Sequence, residues 1–444
     1  LNKPEIENAP ETLVATCFAK AKELYGDPLP EFLEERLKLE LDGICNNGYA
    51  VTYSIAREII RRANEDGYMV GSRGSVGSSL AATMFNITEV NPLPPHYRCP
   101  HCKHLEWVDP IVNKSGFDLE DKNCPICGTK MIADGQNIPF ATFLGFNAEK
   151  IPDIDLNFPS DYQQKAHDST KDIFGEHNVF RAGTIGTVEE KTAFGYVKGY
   201  YEKKFHLDSK KGEDIFTRVS RNDVAYLASK CVGVKRTTGQ HAGGVMILPK
   251  GRSIYEFTPV QYPADDKESS WLTTHYEYRA IHDSLLKLDL LGHVDPLALR
   301  LMSELTGIDV HDIPMNDRDV ISIFTSIRAL KMKSNVLDAK TGSLAIPEFG
   351  TTTAIQTLVE TQPHSFSDLV IISGLSHGTG VWAGNAEKLI VSGEKTLREV
   401  IGCRDDIMIS LSSWGIDKSD AFKIMEFVRK GGPTKKPGEW PKWK

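Results

Sequence analysis

Two aspartates, one residue apart, are the first residues in this chain whose types and spacing suggest chemistry. In Ile151-Pro152-Asp153-Ile154-Asp155-Leu156-Asn157-Phe158, apolar residues alternate with the two carboxylates. Period-two alternation predicts a strand, with Asp153 and Asp155 projecting from one face. Side by side they repel each other, and a divalent cation between them removes that cost. The plain alternative is an exposed strand face with two solvated carboxylates.

A second chemistry lies upstream. Cys99-Pro100-His101-Cys102 and Cys124-Pro125-Ile126-Cys127-Gly128 are two CxxC pairs with 21 residues between Cys102 and Cys124. This spacing predicts a tetrahedral four-thiolate zinc site, with the glycine allowing the tight turn beneath the metal. His101 and His104 are alternative ligands, but four cysteines suffice. Such a site has no open position, so it reads as structural, and the insert around it should need the metal to fold. Cys17, Cys45, Cys231 and Cys403 are isolated. That usage suits a reducing compartment better than a disulfide framework.

A third signal is Gly71-Ser72-Arg73-Gly74-Ser75-Val76-Gly77-Ser78-Ser79, between a predicted short strand at 68–70 and a helix over 80–85. Strand, Gly/Ser loop and helix start form the layout of a phosphate cradle. Backbone N–H groups and serine hydroxyls donate, and Arg73 adds a fixed cation. A surface loop is the bland reading. Residues 181–187 read as a polar turn. Residues 235–248 read as a basic, glycine-bearing loop feeding a buried strand, from which Lys235, Arg236, Gln240 and His241 could reach a phosphate or base. Residues 285–293 read as an apolar strand carrying Lys287 and Asp289 on one face. They are either an ion pair or, for Asp289, a third carboxylate returning to the first two.

The elements that must position these residues are mostly helical. Leu33, Leu37 and Leu41 make one apolar stripe on a helix over 31–41, and a second helix spans about 52–65. Residues 161–235 read as mainly helical, clearest at 191–201 and 225–230. Beyond 295, helices are expected at 296–306, 317–324, 352–361, 366–372, 386–392, 396–401 and 419–430, with 346–351, 373–380 and 402–406 as loops. The tail 431–444, with Trp440 and Trp443, reads as a chain cut short.

At 444 residues, 40% hydrophobic and 25% charged, the composition is that of a globular protein of two to four domains. No run is apolar enough to span a membrane and no signal peptide is seen. Because residue 1 is Leu, the chain reads as beginning inside a longer gene product. The net charge of −8 by itself argues against a nucleic-acid partner, but the charge is uneven. Residues 1–66 carry −5, 181–250 carry +6 and 423–444 carry +5, a distribution that suits local phosphate contact.

Taken in order, the 71–79 segment, the CxxC pairs, 152–158, 234–248, Lys287-Leu288-Asp289 and segments 346–351, 373–382 and 401–408 resemble the bacterial replicative DNA polymerase III alpha subunit of the PolC type. The resemblance runs nearly the whole length, and the zinc insert separates the PolC type from the other alpha-subunit type. It implies an α+β fold: a polymerase-beta-like nucleotidyltransferase palm with an inserted helical thumb, a zinc-binding insert and incomplete, mostly helical fingers. The implied divisions are a helical lead-in at 1–66, palm at 67–160 with the zinc insert at 97–132, thumb at 161–244, further palm at 245–292 and fingers at 293–444.

The implied activity is template-directed DNA synthesis. Asp153, Asp155 and Asp289 would hold two Mg²⁺ ions for in-line attack of a primer 3′-hydroxyl on a dNTP. Gly71, Ser72, Arg73, Gly74, Ser75, Lys287, Arg404, Arg429 and Lys430 would bind the nucleotide. Lys235, Arg236, Gln240 and His241 would contact DNA, and Cys99, Cys102, Cys124 and Cys127 would hold one structural Zn²⁺. Implied partners are primer–template DNA, dNTP and, in the intact protein, the sliding clamp and other replisome subunits, in the bacterial cytoplasm with no membrane. The family's proofreading exonuclease and clamp-binding segments fall outside this sequence, and the family usually carries an acidic residue where this chain has Gly380. Two other readings are an inactive, truncated zinc-containing nucleic-acid-binding fragment and a template-independent nucleotidyltransferase. Intact Asp153, Asp155 and Asp289 argue against the first.

Overall fold

A computed structural model gives the fold, and it describes residues 4, 6–145, 150, 152–207, 214–263, 266–332, 338–378, 380–436 and 438–439. Ile151, Thr379, Trp440 and Trp443, which figure in the sequence reading, lie outside the described residues. The chain forms two compact units. One consists of residues 6–163 and 292–444, and the other of residues 164–291. Both helix and strand are well represented, as an α+β fold requires.

The first unit opens with three helices, α1 (Ala9–Tyr25), α2 (Glu31–Asn46) and α3 (Ala50–Glu65). The apolar stripe of α2 is buried as its spacing requires, through Leu33, Leu37, Leu41 and Ile44. Each such side chain contributes about 1.5–3 kcal/mol on burial. Strand β1 (Gly71–Arg73) follows, then a 3-10 turn over Gly74–Ser78 and the short helix α4 (Leu80–Met84). The expected strand at 68–70 is therefore displaced into the Gly/Ser segment. Pairing with β5 decides this, because Gly71, Ser72 and Arg73 lie opposite Asn157, Leu156 and Asp155. Local turn propensity gives way to a partner strand.

The insert consists of β2 (His96–Arg98), β3 (Leu105–Trp107) and β4 (Ile132–Asp134), an antiparallel sheet in the order β3-β2-β4. After α5 (Ala141–Leu144) comes β5 (Asp155–Pro159), which begins at Asp155, so Asp153 stands in the extended segment ahead of it.

The second unit holds α6 (Gln163–Phe174), β6 (Val179–Thr187), α7 (Glu190–Lys204), α8 (Arg221–Cys231), β7 (Lys235–Ile247), β8 (Val260–Gln261), β9 (Thr273–Glu277) and β10 (Leu286–His293). Its strands follow the order β10-β7-β6-β9-β8. All neighbours are antiparallel except β6 and β9, which makes the sheet mixed. Two sequence expectations fail here. Residues 181–187 are not a turn but most of β6, and 235–247 are not a loop but one long strand. Their glycines and threonines read as turn chemistry. Paired with each other, Thr184 against Gly239 and Ile185 against Thr238, they serve a ladder equally well. Helices α7 and α8 share a small core of Val188, Ala193, Val197, Ile215, Val224 and Ala228.

The first unit resumes with α9 (Val294–Thr306), α10 (Arg318–Ser322), α11 (Thr352–Thr361), α12 (Phe366–Ser376), α13 (Glu387–Val391), α14 (Arg404–Ser413), α15 (Lys418–Arg429) and α16 (Gly432–Lys435). Around α11–α13, Phe324, Leu358, Leu369, Ile372, Leu375 and Trp382 form a core. Residues 396–401 are turns and not the expected helix. Glu399 accepts from both the backbone N–H and the hydroxyl of Thr396 at 2.8 Å, starting a turn that Gly402 follows too soon to let grow. Conversely, the expected loop at 402–406 already contains the start of α14.

Candidate active site and cysteine cluster

The alternation around Asp153 and Asp155 survives folding. Ile154, Leu156 and Phe158 are buried, Asp153 is exposed and Asp155 is half-buried. The two aspartates each offer an oxygen within 4.8 Å of the other. Arg73 lies opposite Asp155 in the β1–β5 ladder, and its guanidinium makes no hydrogen bond or ion pair among the described residues. At Gly74 the chain turns with φ +75, a left-handed conformation that favours glycine, and a Cβ there would stand 3.7 Å from Asp155 Oδ2. The Gly/Ser turn thus lies against the carboxylate pair.

A cleft of about 670 Å³ in the first unit is lined by Gly74, Ser75, Lys150, both aspartates, Arg404 and Arg429. Arg404 donates to Thr142 O at 3.2 Å and stands 3.5 Å from Glu426. Arg429 donates to both oxygens of Glu426 at 2.8 and 2.7 Å, and Lys430 lies 3.4 Å from the same carboxylate. Burial alone would raise the pKa of Glu426, but the Arg429 hydrogen bonds and the charges of Arg429 and Lys430 hold it at about 2. Burial, then the charge of Arg404, lowers the pKa of Lys150. Of the expected nucleotide ligands, the cleft lining includes Gly74, Ser75, Arg404 and Arg429. Gly71, Ser72 and Arg73 sit in β1, and Lys430 is largely exposed beyond Glu426.

What holds the Gly/Ser segment is a buried acid that the sequence reading passed over. Glu40 of α2 is fully buried. It accepts from Arg36 Nε at 2.8 Å, Ser79 Oγ at 3.1 Å and Ala81 N at 3.0 Å, while Arg36 also donates to Ser78 O and Ile138 O at 3.1 Å. The signal was present, because Glu40 lies on the same 3–4 spacing as Leu33, Leu37 and Ile44. A carboxylate on an apolar stripe asks for a buried partner.

In the second unit, Lys287 and Asp289 share a face of β10 and are ion-paired, and the Lys287 ammonium lies 4.7 Å from the centre of the Tyr278 ring. Asp289 Oδ1 is buried and accepts no hydrogen bond among the described residues. His241 Nδ1 stands 3.5 Å from it. That nitrogen already accepts from Gly244 N at 2.7 Å, and burial, then the charge of Lys287, lowers the His241 pKa. With Nδ1 accepting from Gly244 N, a neutral ring carries its proton on Nε2. A bulge in β7, between the Arg181–Val245 and Gly183–Gln240 pairs, brings His241 to this position. Arg181 holds the bulge by donating to His241 O at 2.9 Å and Ala242 O at 3.1 Å. Of the expected DNA contacts, Lys235 and Arg236 are exposed at the outer end of β7, with Arg236 5.8 Å from the centre of the Tyr196 ring. Gln240 donates to Thr273 Oγ1 at 2.8 Å.

The four cysteines of the insert are free thiols whose sulfurs all lie within 4.8 Å of one another. Cys99 and Cys127 are 3.4 Å apart, and Cys102 and Cys124 are 3.5 Å apart. Hydrogen bonding with the Thr129 side chain and backbone pulls the Cys127 thiol down to about 5. Among the described residues, no helix is long and apolar enough to cross a membrane.

Comparison with known proteins bears on both sites. Residues 11–292 match the bacterial DNA polymerase III alpha NTPase domain, and residues 296–442 match the bacterial DNA polymerase III alpha subunit finger domain. The chain is 52% identical over 437 residues to the protein named DNA polymerase III PolC-type from Oceanobacillus iheyensis, covering 98% of this chain and 30% of the relative. To the protein of the same name from Halalkalibacterium halodurans it is 52% identical over 443 residues, covering 100% and 30%. To that from Staphylococcus aureus strain MW2 it is 51% identical over 451 residues, covering 100% and 31%.

Proposed function

Because the chain belongs to the bacterial DNA polymerase III alpha-subunit family, we propose that it is the nucleotidyl-transfer core of a PolC-type enzyme, adding deoxynucleotides to a primer 3′-hydroxyl under template direction. One observation carries the reading. Three cations, Lys150, Arg404 and Arg429, and three carboxylates, Asp153, Asp155 and Asp405, line a single cleft beside the Gly74–Ser75 turn; Asp405 accepts from the Thr142 hydroxyl at 2.6 Å, and the mixed charge suits a metal-bound triphosphate. The chain spans about 30% of the length of these relatives, so activity, substrates and partners are inferred from the whole enzymes.

In this reading Asp289 joins Asp153 and Asp155. The open, buried Oδ1 of Asp289 fits a cation ligand, because a carboxylate oxygen out of water needs a donor or a metal. Two Mg²⁺ ions, when bound, would ease ionisation of the 3′-hydroxyl and offset charge at the reacting phosphate. The chain's own residues do the rest. Backbone N–H groups of the Gly/Ser turn, with Arg73, Lys287, Arg404, Arg429 and Lys430, hold the triphosphate. Lys235, Arg236, Gln240 and the Nε2–H of His241 contact DNA.

The four cysteines would hold one Zn²⁺. Tetrahedral Zn–S bonds of about 2.3 Å need sulfurs about 3.8 Å apart, and the observed spacing suits that. The division into palm, inserted thumb over 161–244 and fingers from 293 belongs to the same reading, as do a sliding clamp and other replisome partners in the cytoplasm. The test is primer extension, with and without template, by a full-length relative carrying this segment. Asp→Asn at 153, 155 or 289 should abolish extension while leaving the fold intact. Unimpaired extension by any of the three, or addition without template, would refute the reading.

A further inference from the structure

The cysteine insert reaches well beyond its own sheet. Its single turn at Gly116–Asp118 docks on the C-terminal helices of the same unit. The Asp118 carboxylate accepts from Phe366 N at 2.6 Å and Ser367 N at 3.1 Å, the first two N–H groups of α12. A helix start leaves four such groups without partners, and α12's own cap, Ser365, serves only Asp368 N. Phe117 and Phe366 meet edge-on with centroids 5.2 Å apart, and Lys114 Nζ donates to Arg398 O at 3.4 Å. On the other side, Gly116 N donates to Gly135 O at 2.6 Å, just past the end of β4. Strand β2 runs directly into Cys99, and β4 follows Cys127 by five residues. The knuckles, the three-stranded sheet and the 116–118 turn are therefore mechanically continuous.

Helix α12 in turn supports a wall of the cleft. Gly374 on α12 approaches Gly402 so closely that a Cβ would stand 2.3 Å from Gly402 O. A Cβ on Gly402 would stand 2.8 Å from Ile371 Cγ2, so neither position admits a side chain without displacing the other segment. Gly402 N donates to Asp406 Oδ2 at 2.8 Å, which starts α14 at Arg404.

We propose that Asp118 is a positioning residue for the cleft. It pins α12 to the cysteine insert and, through the Gly374–Gly402 contact, sets where Arg404 stands beside Asp153 and Asp155. The inference rests on the nucleotide-binding reading above. It makes the insert a bracket stiffened by its metal, so that loading of the four-cysteine site is coupled to nucleotide affinity, although none of the four cysteines lines the cleft.

The test compares the whole chain with Asp118→Ala and Asp118→Asn by hydrogen exchange, zinc content and calorimetric titration with Mg²⁺ and dATP. In Asp118→Ala, exchange at 366–369 and at 402–406 should rise about tenfold. dATP should bind about five- to tenfold more weakly, while one zinc per chain is retained. Asp118→Asn keeps one acceptor oxygen and should recover most of both losses. Chelating zinc from the wild type should reproduce both changes and add little in Asp118→Ala.

Three results would overturn the proposal. Unchanged exchange at 366–369 means that Asp118 does not hold α12. Faster exchange there with unchanged dATP affinity means a cap with no reach into the cleft. Loss of zinc from Asp118→Ala means that the dependence runs the other way. If the wild-type chain binds no dATP, the nucleotide reading fails by itself, and exchange at 402–406 still decides whether Asp118 acts across α12.

Discussion

Replacing Glu40 tests whether a helix far from the aspartates in sequence holds the Gly/Ser segment in place. Glu40→Ala removes the acceptor of Arg36 Nε, Ser79 Oγ and Ala81 N together. The residue is fully buried, so water cannot replace those bonds without opening the core. Arg36 keeps two carbonyl partners, which lessens but does not cancel the cost of stranding its charge. Breaking one side of a buried ion pair costs about 3–5 kcal/mol. That is a large share of the roughly 5–15 kcal/mol that holds a domain folded. Glu40→Gln keeps one acceptor oxygen and the volume, and should cost about 1–3 kcal/mol, the price of a lost charged hydrogen bond. Urea unfolding gives the size of the effect. Hydrogen exchange gives its place, and the first amides to lose protection should be those of 78–85, because Glu40 reaches the chain there. A cost below about 1 kcal/mol for Glu40→Ala, the range of surface substitutions, would refute the argument. So would a loss of protection spread evenly over the unit.

Arg73→Ala should weaken dNTP binding by about 1.5–3 kcal/mol, one charge-assisted hydrogen bond. It should leave the melting temperature unchanged, since the guanidinium makes no ion pair among the described residues; equal nucleotide affinity in a titration would count against it. Metal analysis should find one zinc per chain, absent from the double variant Cys99→Ser, Cys124→Ser, and zinc removal should unfold the insert as judged by proteolysis within 96–134. Zinc retained by the double variant would sink that assignment. Glu426, held at about 2 against an ordinary 4.5, is a depressed acid. Its stabilisation is therefore fully present above the ordinary value and lost as pH falls from there toward 2. Glu426→Gln should flatten stability over that window in an acid unfolding series, and a slope equal to wild type would show that the three cations do not depend on it.

Those elements whose burial pattern is local were legible in the sequence. The stripe of α2, the alternation across β5 and β10 and the helices α11 and α15 appear where periodicity puts them, because one buried face dictates the spacing. The errors share one cause. Strands β1, β6 and the outer half of β7 are built from Gly, Ser and Thr, residues whose local preference is for turns, and they become strands only because a partner pairs with them. That pairing crosses long stretches of sequence and leaves no periodic trace. The start of α14 was missed for a related reason. Gly402 and Cys403 look like a break, and it is the Asp406 carboxylate, bonded to both backbone N–H groups, that turns the break into a cap.

At the cleft the acidic partners were legible and the device that keeps them apart from the basic ones was not. Asp153 and Asp155 identify themselves by alternation, whereas Arg404 and Arg429 come only from the family resemblance. Left to themselves, guanidiniums and carboxylates lining one cleft would close on each other and fill it with ion pairs. Glu426 prevents that collapse by giving Arg404, Arg429 and Lys430 a common carboxylate of their own. The Thr142 carbonyl fixes Arg404 from the other side. A ligand carrying both signs, a phosphate chain with its cations, would thus meet arginines whose carboxylate partner is already supplied by α15. Sequence reasoning sees Glu426 as one more exposed acid of an amphipathic helix, since nothing in its spacing reveals that three cations converge on it.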